Sequence, residues 1–205
     1  MKFLKKDVKS NGKTIQYTLI TQKSDQLVIV LPGAGYTAQA PWLYYSTSLF
    51  VEKDYDVLHV NYSYTQNEFE ALGATGFSQD VCQVINQVVS NYKEIIFCAK
   101  SLGTLALSHI IDEYQPSYSI WLTPLLQRDD VYQKLIESDY RGLIVIGDED
   151  PCYIEDRFND IKDNSSLRLT LIKGANHGLE LKDQHPSHSI DVLKDYLNQL
   201  DHILC

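Results

Sequence analysis

The sequence predicts an α/β fold: a mostly parallel sheet with an antiparallel hairpin at its N-terminal edge and helices on both faces. Short apolar runs alternate with stretches of helical periodicity along nearly the whole chain, and such alternation builds parallel strands joined by helices. Asn11-Gly12 separates two runs of strand-forming residues, and an Asn-Gly pair supplies the positive backbone angles of a two-residue hairpin turn. Finally, the apolar run 95–99 gives way to a helical pattern from Leu102 with only Lys100 and Ser101 between them. Strand and helix must therefore meet at a sharp turn.

The hairpin comes first along the chain. After its turn, Ile15, Tyr17 and Leu19 alternate with polar residues, the period of a strand with one covered face. Further strands are centred near Ile29, Leu58, Phe97, Trp121, Val145 and Leu169. Each is a nearly continuous apolar run, as strands buried on both faces are. Helical patterns lie at 42–51, 77–92, 102–114 and 189–204. Pro41 marks the start of the first, because proline suits the opening position of a helix. In the last, Ile190, Leu193, Leu197, Leu200 and Leu204 recur at helical spacing, and the polar remainder forms a solvated face. A shorter helix is expected over 129–138, and the next strand begins at Gly142, which leaves too little chain for a lid. No repeat or linker interrupts the pattern. One domain over residues 1–205 is expected, long enough to bury a sizeable core.

The segment Ala99-Lys100-Ser101-Leu102-Gly103 carries the strongest chemical signal. A serine that attacks a carbonyl stands on a strained strand-to-helix turn, which crowds the positions two before and two after it. Ala99 and Gly103 are small enough for those positions. The helix start also directs unpaired N–H groups and the positive end of the helix dipole at a developing oxyanion. A serine capping a buried helix has the same local look, so its partners must decide. A serine hydroxyl needs a base, usually a histidine held in one tautomer by an acid. The strand over 142–147 runs into Asp148-Glu149-Asp150-Pro151. The strand over 167–172 runs into Lys173-Gly174-Ala175-Asn176-His177-Gly178. His59 falls in a strand, His109 in the helix after Ser101, and His185, His188 and His202 in or just before the last helix. Structural roles suffice for these five.

With serine, acid and histidine in this order, each after a strand, the chain resembles the α/β-hydrolase superfamily over nearly its whole length. Within it, the small, capless, esterase-like serine hydrolases are the best match. The resemblance implies Ser101 as nucleophile, Asp150 as acid and His177 as base, with Ala99 where the G-x-S-x-G pattern has its first glycine. Asp148 is the rival acid. The spacing from Gly147 and the stiffening of the next step by Pro151 favour Asp150. The resemblance also implies an oxyanion hole. The strand over 27–31 runs into Pro32-Gly33-Ala34-Gly35-Tyr36. Gly33 resembles the glycine of the family's HG-type loop, with Pro32 where many members have histidine, so the N–H groups of Ala34 and Leu102 are the expected donors.

The activity implied is cleavage of a small carboxylic ester through an acyl-enzyme. Thioester or amide cleavage by the same machinery is the alternative, and a hydrolase-fold protein that binds a ligand without turning it over is the reading from another class. Loops at the carboxyl ends of parallel strands converge, which makes Gly33, Gly35, Tyr36, Tyr62 and Tyr153 candidates to line the substrate pocket, with Tyr64 placed similarly. The chain has 14 tyrosines, and half-buried structural positions account for many of them. Lys100 either reaches the acyl pocket or carries a solvent-facing stem.

Residues 33–38 also fit G-x-G-x-x-A, a dinucleotide fingerprint. Its context fails: a hairpin precedes the strand, the helix starts only at Pro41, and Asn61 stands where a ribose-binding acid belongs. No cofactor is expected. The cysteines at 82, 98, 152 and 205 lack metal-ligand spacing and no H-E-x-x-H run occurs, so no metal is expected and the thiols read as free. Free thiols, no apolar core of a signal peptide near Met1, and no run near the ~20 apolar residues of a membrane span together suggest a cytoplasmic protein. The net charge of −9, from 27 acidic against 18 basic residues, disfavours nucleic acid and anionic membrane as partners. The resemblance implies a small-molecule ester-type substrate as the partner. The oligomeric state stays open.

Overall fold

A computed structural model describes residues 1–182 and 185–204. The thiol at position 205 lies outside the described residues. The strands are β1 (Lys2–Ser10), β2 (Lys13–Thr21), β3 (Gln26–Leu31), β4 (Asp56–Asn61), β5 (Glu94–Lys100), β6 (Tyr118–Leu122), β7 (Gly142–Gly147) and β8 (Leu167–Ile172). The helices are α1 (Pro41–Glu52), α2 (Gln66–Ile85), α3 (Leu102–Tyr114), α4 (Asp129–Glu137), α5 (Glu155–Ile161) and α6 (Pro186–Ile203). The strands form a single eight-stranded sheet in the order β1-β2-β4-β3-β5-β6-β7-β8. β1 and β2 pair antiparallel across the Asn11-Gly12 turn, β2 pairs antiparallel with β4, and every later pairing is parallel.

Two apolar layers sandwich the sheet. On one face Phe77, Leu105, Val131 and Phe158 from α2, α3, α4 and α5 pack against alternate strand residues such as Ile29, Phe97 and Trp121. On the other, Trp42, Phe50, Leu193 and Tyr196 from α1 and α6 pack against Val28, Cys98 and Val145. This division follows from the period-2 alternation of fully buried strands. Between β6 and β7 the only helix is α4, so no lid domain covers the carboxyl ends of the strands.

The expected architecture stands, with three local corrections. β1 is less covered than a hairpin packed on one face would be: Lys2 to Asp7 are all exposed, because β1 is an edge strand that α2 reaches only near Val8 and the turn. α2 opens eleven residues before the expected Phe77 and ends at Ile85, followed by a 3-10 turn at Val89–Asn91. A capping box starts it. Thr65 accepts from the Glu68 N–H and the Glu68 carboxylate accepts from the Thr65 N–H, which satisfies two otherwise orphaned donors. Gly73, at φ 66° and ψ 175°, kinks the helix. Its first half has no fully buried side chain, only Phe69, Leu72 and Ala74 packed half-buried against the core, so its apolar period is short and weak. α5 has no counterpart in the expected helices; it is a single short segment that buries only Phe158 and Ile161.

Candidate active site

The site lies at the carboxyl ends of the parallel strands. Ser101 joins β5 to α3 with φ 50° and ψ −115°. For a residue with a Cβ such a backbone costs on the order of 1–3 kcal/mol. Neighbours hold it there: its N–H donates to the Leu122 carbonyl at 2.9 Å, and its carbonyl accepts from both the N–H (2.8 Å) and the Oγ1 hydroxyl (2.6 Å) of Thr104. The crowding expected around the turn is present. A Cβ on Gly103 would lie 2.1 Å from the Leu31 carbonyl oxygen, and one on Gly33 would lie 3.2 Å from the Ser101 Cβ. Ala99 is fully buried between Leu31 and Trp121.

Across the sheet, the β7 and β8 loops bring an acid and an imidazole to that serine. A Cβ on Gly147 would lie 1.9 Å from the Ala175 carbonyl oxygen, so the β8 loop passes directly over the end of β7. Asn176 knits that loop, its Oδ1 accepting from the N–H groups of Gly178 (2.6 Å) and Glu180 (3.2 Å). His177 Nε2 then stands 2.8 Å from Ser101 Oγ, and His177 Nδ1 stands 2.9 Å from both carboxylate oxygens of Asp150. The carboxylate only accepts, so Nδ1 carries the hydrogen and Nε2 is left to accept from the serine hydroxyl. The Asp150 side chain is fully buried, whereas that of His177 is 37% exposed. Asp150 also accepts from the Cys152 N–H at 2.8 Å. Asp148 is exposed and accepts from the Gly174 N–H at 2.5 Å, which ties the β7 and β8 loops together.

The loop after β3 completes the floor. Gly33 and Tyr36 exchange backbone hydrogen bonds of 3.1 and 3.3 Å around Ala34 and Gly35, with Gly35 at φ 69°. That angle at the third position of the turn is one that glycine adopts without strain. The Tyr62 hydroxyl donates to the Pro32 carbonyl and braces the loop from below. Leu102 is the first residue of α3, a position whose N–H has no partner within its own helix. Ala34 and Leu102 both line a cleft of about 260 Å³ that also includes Gly33, Gly35, Tyr62 and Tyr64. On the other side of the β3 loop, Tyr36, Trp42, Gly178, Leu179, Ile190 and Leu193 line a mostly apolar groove of about 440 Å³. Tyr153 belongs to neither lining: its ring packs on Phe158 with centroids 5.5 Å apart.

Asp150, Cys152 and His177 each place one possible metal-ligand atom within 4.8 Å of the others. Two of the three are already engaged with each other through the Nδ1 hydrogen. Burial pushes the Cys152 thiol up to about 11, which keeps it a protonated and poor ligand near neutral pH. The set fits a hydrogen-bonded relay better than an ion.

Lys100 takes neither course expected of it. It is 1% exposed, and its Nζ donates to Thr123 Oγ1 and to the His177 main-chain carbonyl, each at 2.8 Å. The only sequence signal for this is a charged residue closing an apolar strand immediately before Ser101. Its partners lie on loops remote in sequence.

The profile of the alpha/beta hydrolase domain family matches residues 24–204 of this chain. No curated protein is significantly similar in sequence. Among solved structures, a protein of unknown function from Agrobacterium tumefaciens superposes with a TM-score of 0.78 at 17% identity, covering 98% of this chain and 96% of that one. A serine hydrolase without a lid from Xanthomonas campestris gives 0.70 at 13% identity, with 94% and 90% covered. An esterase from Pyrococcus furiosus gives 0.69 at 13% identity, with 94% and 91% covered.

Proposed function

The chain belongs to the alpha/beta hydrolase domain family, and we propose that it is a serine hydrolase that cleaves small carboxylic esters through an acyl-enzyme on Ser101. The observation that carries this reading is the 2.8 Å contact between Ser101 Oγ and His177 Nε2, with Nδ1 of the same ring on the buried Asp150 carboxylate. In the proposed reaction Ser101 Oγ attacks the ester carbonyl as its proton passes to His177 Nε2. Asp150 holds the ring's tautomer and stabilises the imidazolium. The N–H groups of Ala34 and Leu102 stabilise the charge on the tetrahedral oxygen, where preorganised donors act most strongly. The intermediate collapses, and the alcohol leaves with the proton from His177. Water then attacks the acyl-enzyme with His177 again as base, releasing the acid and restoring Ser101.

The clefts of about 260 and 440 Å³ flanking the β3 loop support substrates of modest size. With no lid domain between β6 and β7, activation at a lipid surface is not expected. Turnover of p-nitrophenyl esters with increasing acyl length, run beside a thioester and an anilide, tests the reaction class. Short esters should be hydrolysed, and Ser101→Ala should lower kcat by roughly 10⁴-fold or more without loss of fold. Equal turnover by the Ser101→Ala protein contradicts the reading, and ligand binding without turnover favours a binding role.

A further inference from the structure

We propose that Lys100 is the positioning residue of this site: its buried ammonium ties the main chain of His177 to the strand end that carries Ser101, and so sets the distance at which serine and imidazole share a proton. The inference rests on the hydrolase role proposed above.

The geometry is a convergence of loops on one side chain. Lys100 is the last residue of β5 and its neighbour is Ser101. Its Nζ donates to Thr123 Oγ1, just past β6, and to the His177 carbonyl, past β8. The same Nζ lies 4.6 Å from the centre of the Tyr36 ring, past β3, close enough for a cation–π contact. Thr123 is fully buried and holds φ 46° while its N–H donates to the Val145 carbonyl at 2.7 Å, so its hydroxyl is itself fixed in place. The ammonium thus links the strand-to-helix turn at Ser101, the loop that carries His177 and the loop proposed to hold the oxyanion. No other hydrogen bond between side chain and His177 main chain is seen among the described residues.

This placement is unfavourable for the fold. Burial pushes the Lys100 amine down to about 8, against the opposing pull of Asp150, Cys152 and Glu180. A methionine of similar length would fill the space without a charge to desolvate, though it would leave Thr123 Oγ1 and the His177 carbonyl without their donor, so the two effects oppose each other. A buried charge that costs desolvation but fixes a reacting group is better explained by the site than by the core.

The test is Lys100→Met, with Lys100→Leu as the second variant should the first fold poorly. Measured on the intact protein are the melting temperature, kcat and KM for p-nitrophenyl acetate, and amide hydrogen exchange over residues 173–181. The expected result is a Tm close to the wild-type value, faster exchange across the loop, and kcat lowered by about 10- to 100-fold with KM nearly constant. A misplacement of about 1 Å has costs of that size. A merely structural lysine would lower Tm and leave kcat per folded molecule alone. Turnover within about twofold of the wild type, or loop exchange that does not change, overturns the proposal. Should the wild-type protein hydrolyse no ester and take no fluorophosphonate, the hydrolase reading fails by itself, and the exchange measurement still decides whether Lys100 holds the loop.

Discussion

Asp148 and Asp150 are two residues apart, yet their carboxylates meet different surroundings. Asp150 is buried and faces His177 Nδ1 and the Cys152 N–H, while Asp148 is exposed and accepts from the Gly174 N–H. Asp150→Asn presents an amide where only an acceptor fits, which disfavours the tautomer that leaves Nε2 free. In a related triad such a change costs about 10⁴ in turnover. The Asp150→Asn protein is expected to lose kcat on that scale and Asp148→Asn to change it by less than about tenfold; steady-state kinetics of both decides, and the reverse order would move the acid by two residues. The meeting of Ser101, Asp150 and His177 was legible in the sequence because each follows an apolar strand of one parallel sheet. The clamp at Lys100 was not. A lysine's burial depends on Thr123 and His177, far along the chain, and no local pattern encodes it. Closeness in sequence to Asp150 does not fix the direction of the Tyr153 ring, which packs on Phe158.

At the scale of elements, close approach explains two glycines. α3 crosses the end of β3 so tightly that a Cβ on Gly103 would lie 2.1 Å from Leu31 O, and the β8 loop crosses the end of β7 so tightly that a Cβ on Gly147 would lie 1.9 Å from Ala175 O. Both obstacles are backbone, which cannot swing aside. Gly103→Ala and Gly147→Ala are each expected to destabilise by about 1–3 kcal/mol or more, the usual cost of overpacking. Urea unfolding measures this, and a stability within about 0.5 kcal/mol of the wild type would mean the elements separate more easily than the packing suggests. The strands were legible because burial on both faces makes continuous apolar runs, and α3 matched its expected limits of 102–114. The first half of α2 was hidden since no side chain over 66–76 is fully buried; only the T-x-x-E of its capping box announced it.

For the molecule as a whole, the parallel run of β3, β5, β7 and β8 places every proposed reacting group at the carboxyl ends of the strands, above a core that also buries titratable groups. His59, on β4 within the α1/α6 face, is 4% exposed and lies 2.9 Å from Thr47 Oγ1. Burial lowers its pKa from 6.5 to about 4. The unfolded chain therefore binds this proton first as pH falls, and stability drains between pH 6.5 and 4. The expected loss is about 3 kcal/mol by pH 4, from a shift of that size. Denaturant unfolding across that range should show the slope, and a His59→Asn protein should lack its share of it; an identical slope in both would place the acid sensitivity elsewhere. Catalysis at the open carboxyl ends of the strands is the central claim, and its most direct test needs no knowledge of the substrate. The purified protein is treated with a fluorophosphonate and the adduct is located by peptide mass spectrometry. A single adduct on Ser101, lost in Ser101→Ala and slowed at least about 10²-fold in His177→Ala, is the expected result. No adduct on the folded wild-type protein, or an adduct on another residue while Ser101 stays free, would contradict it.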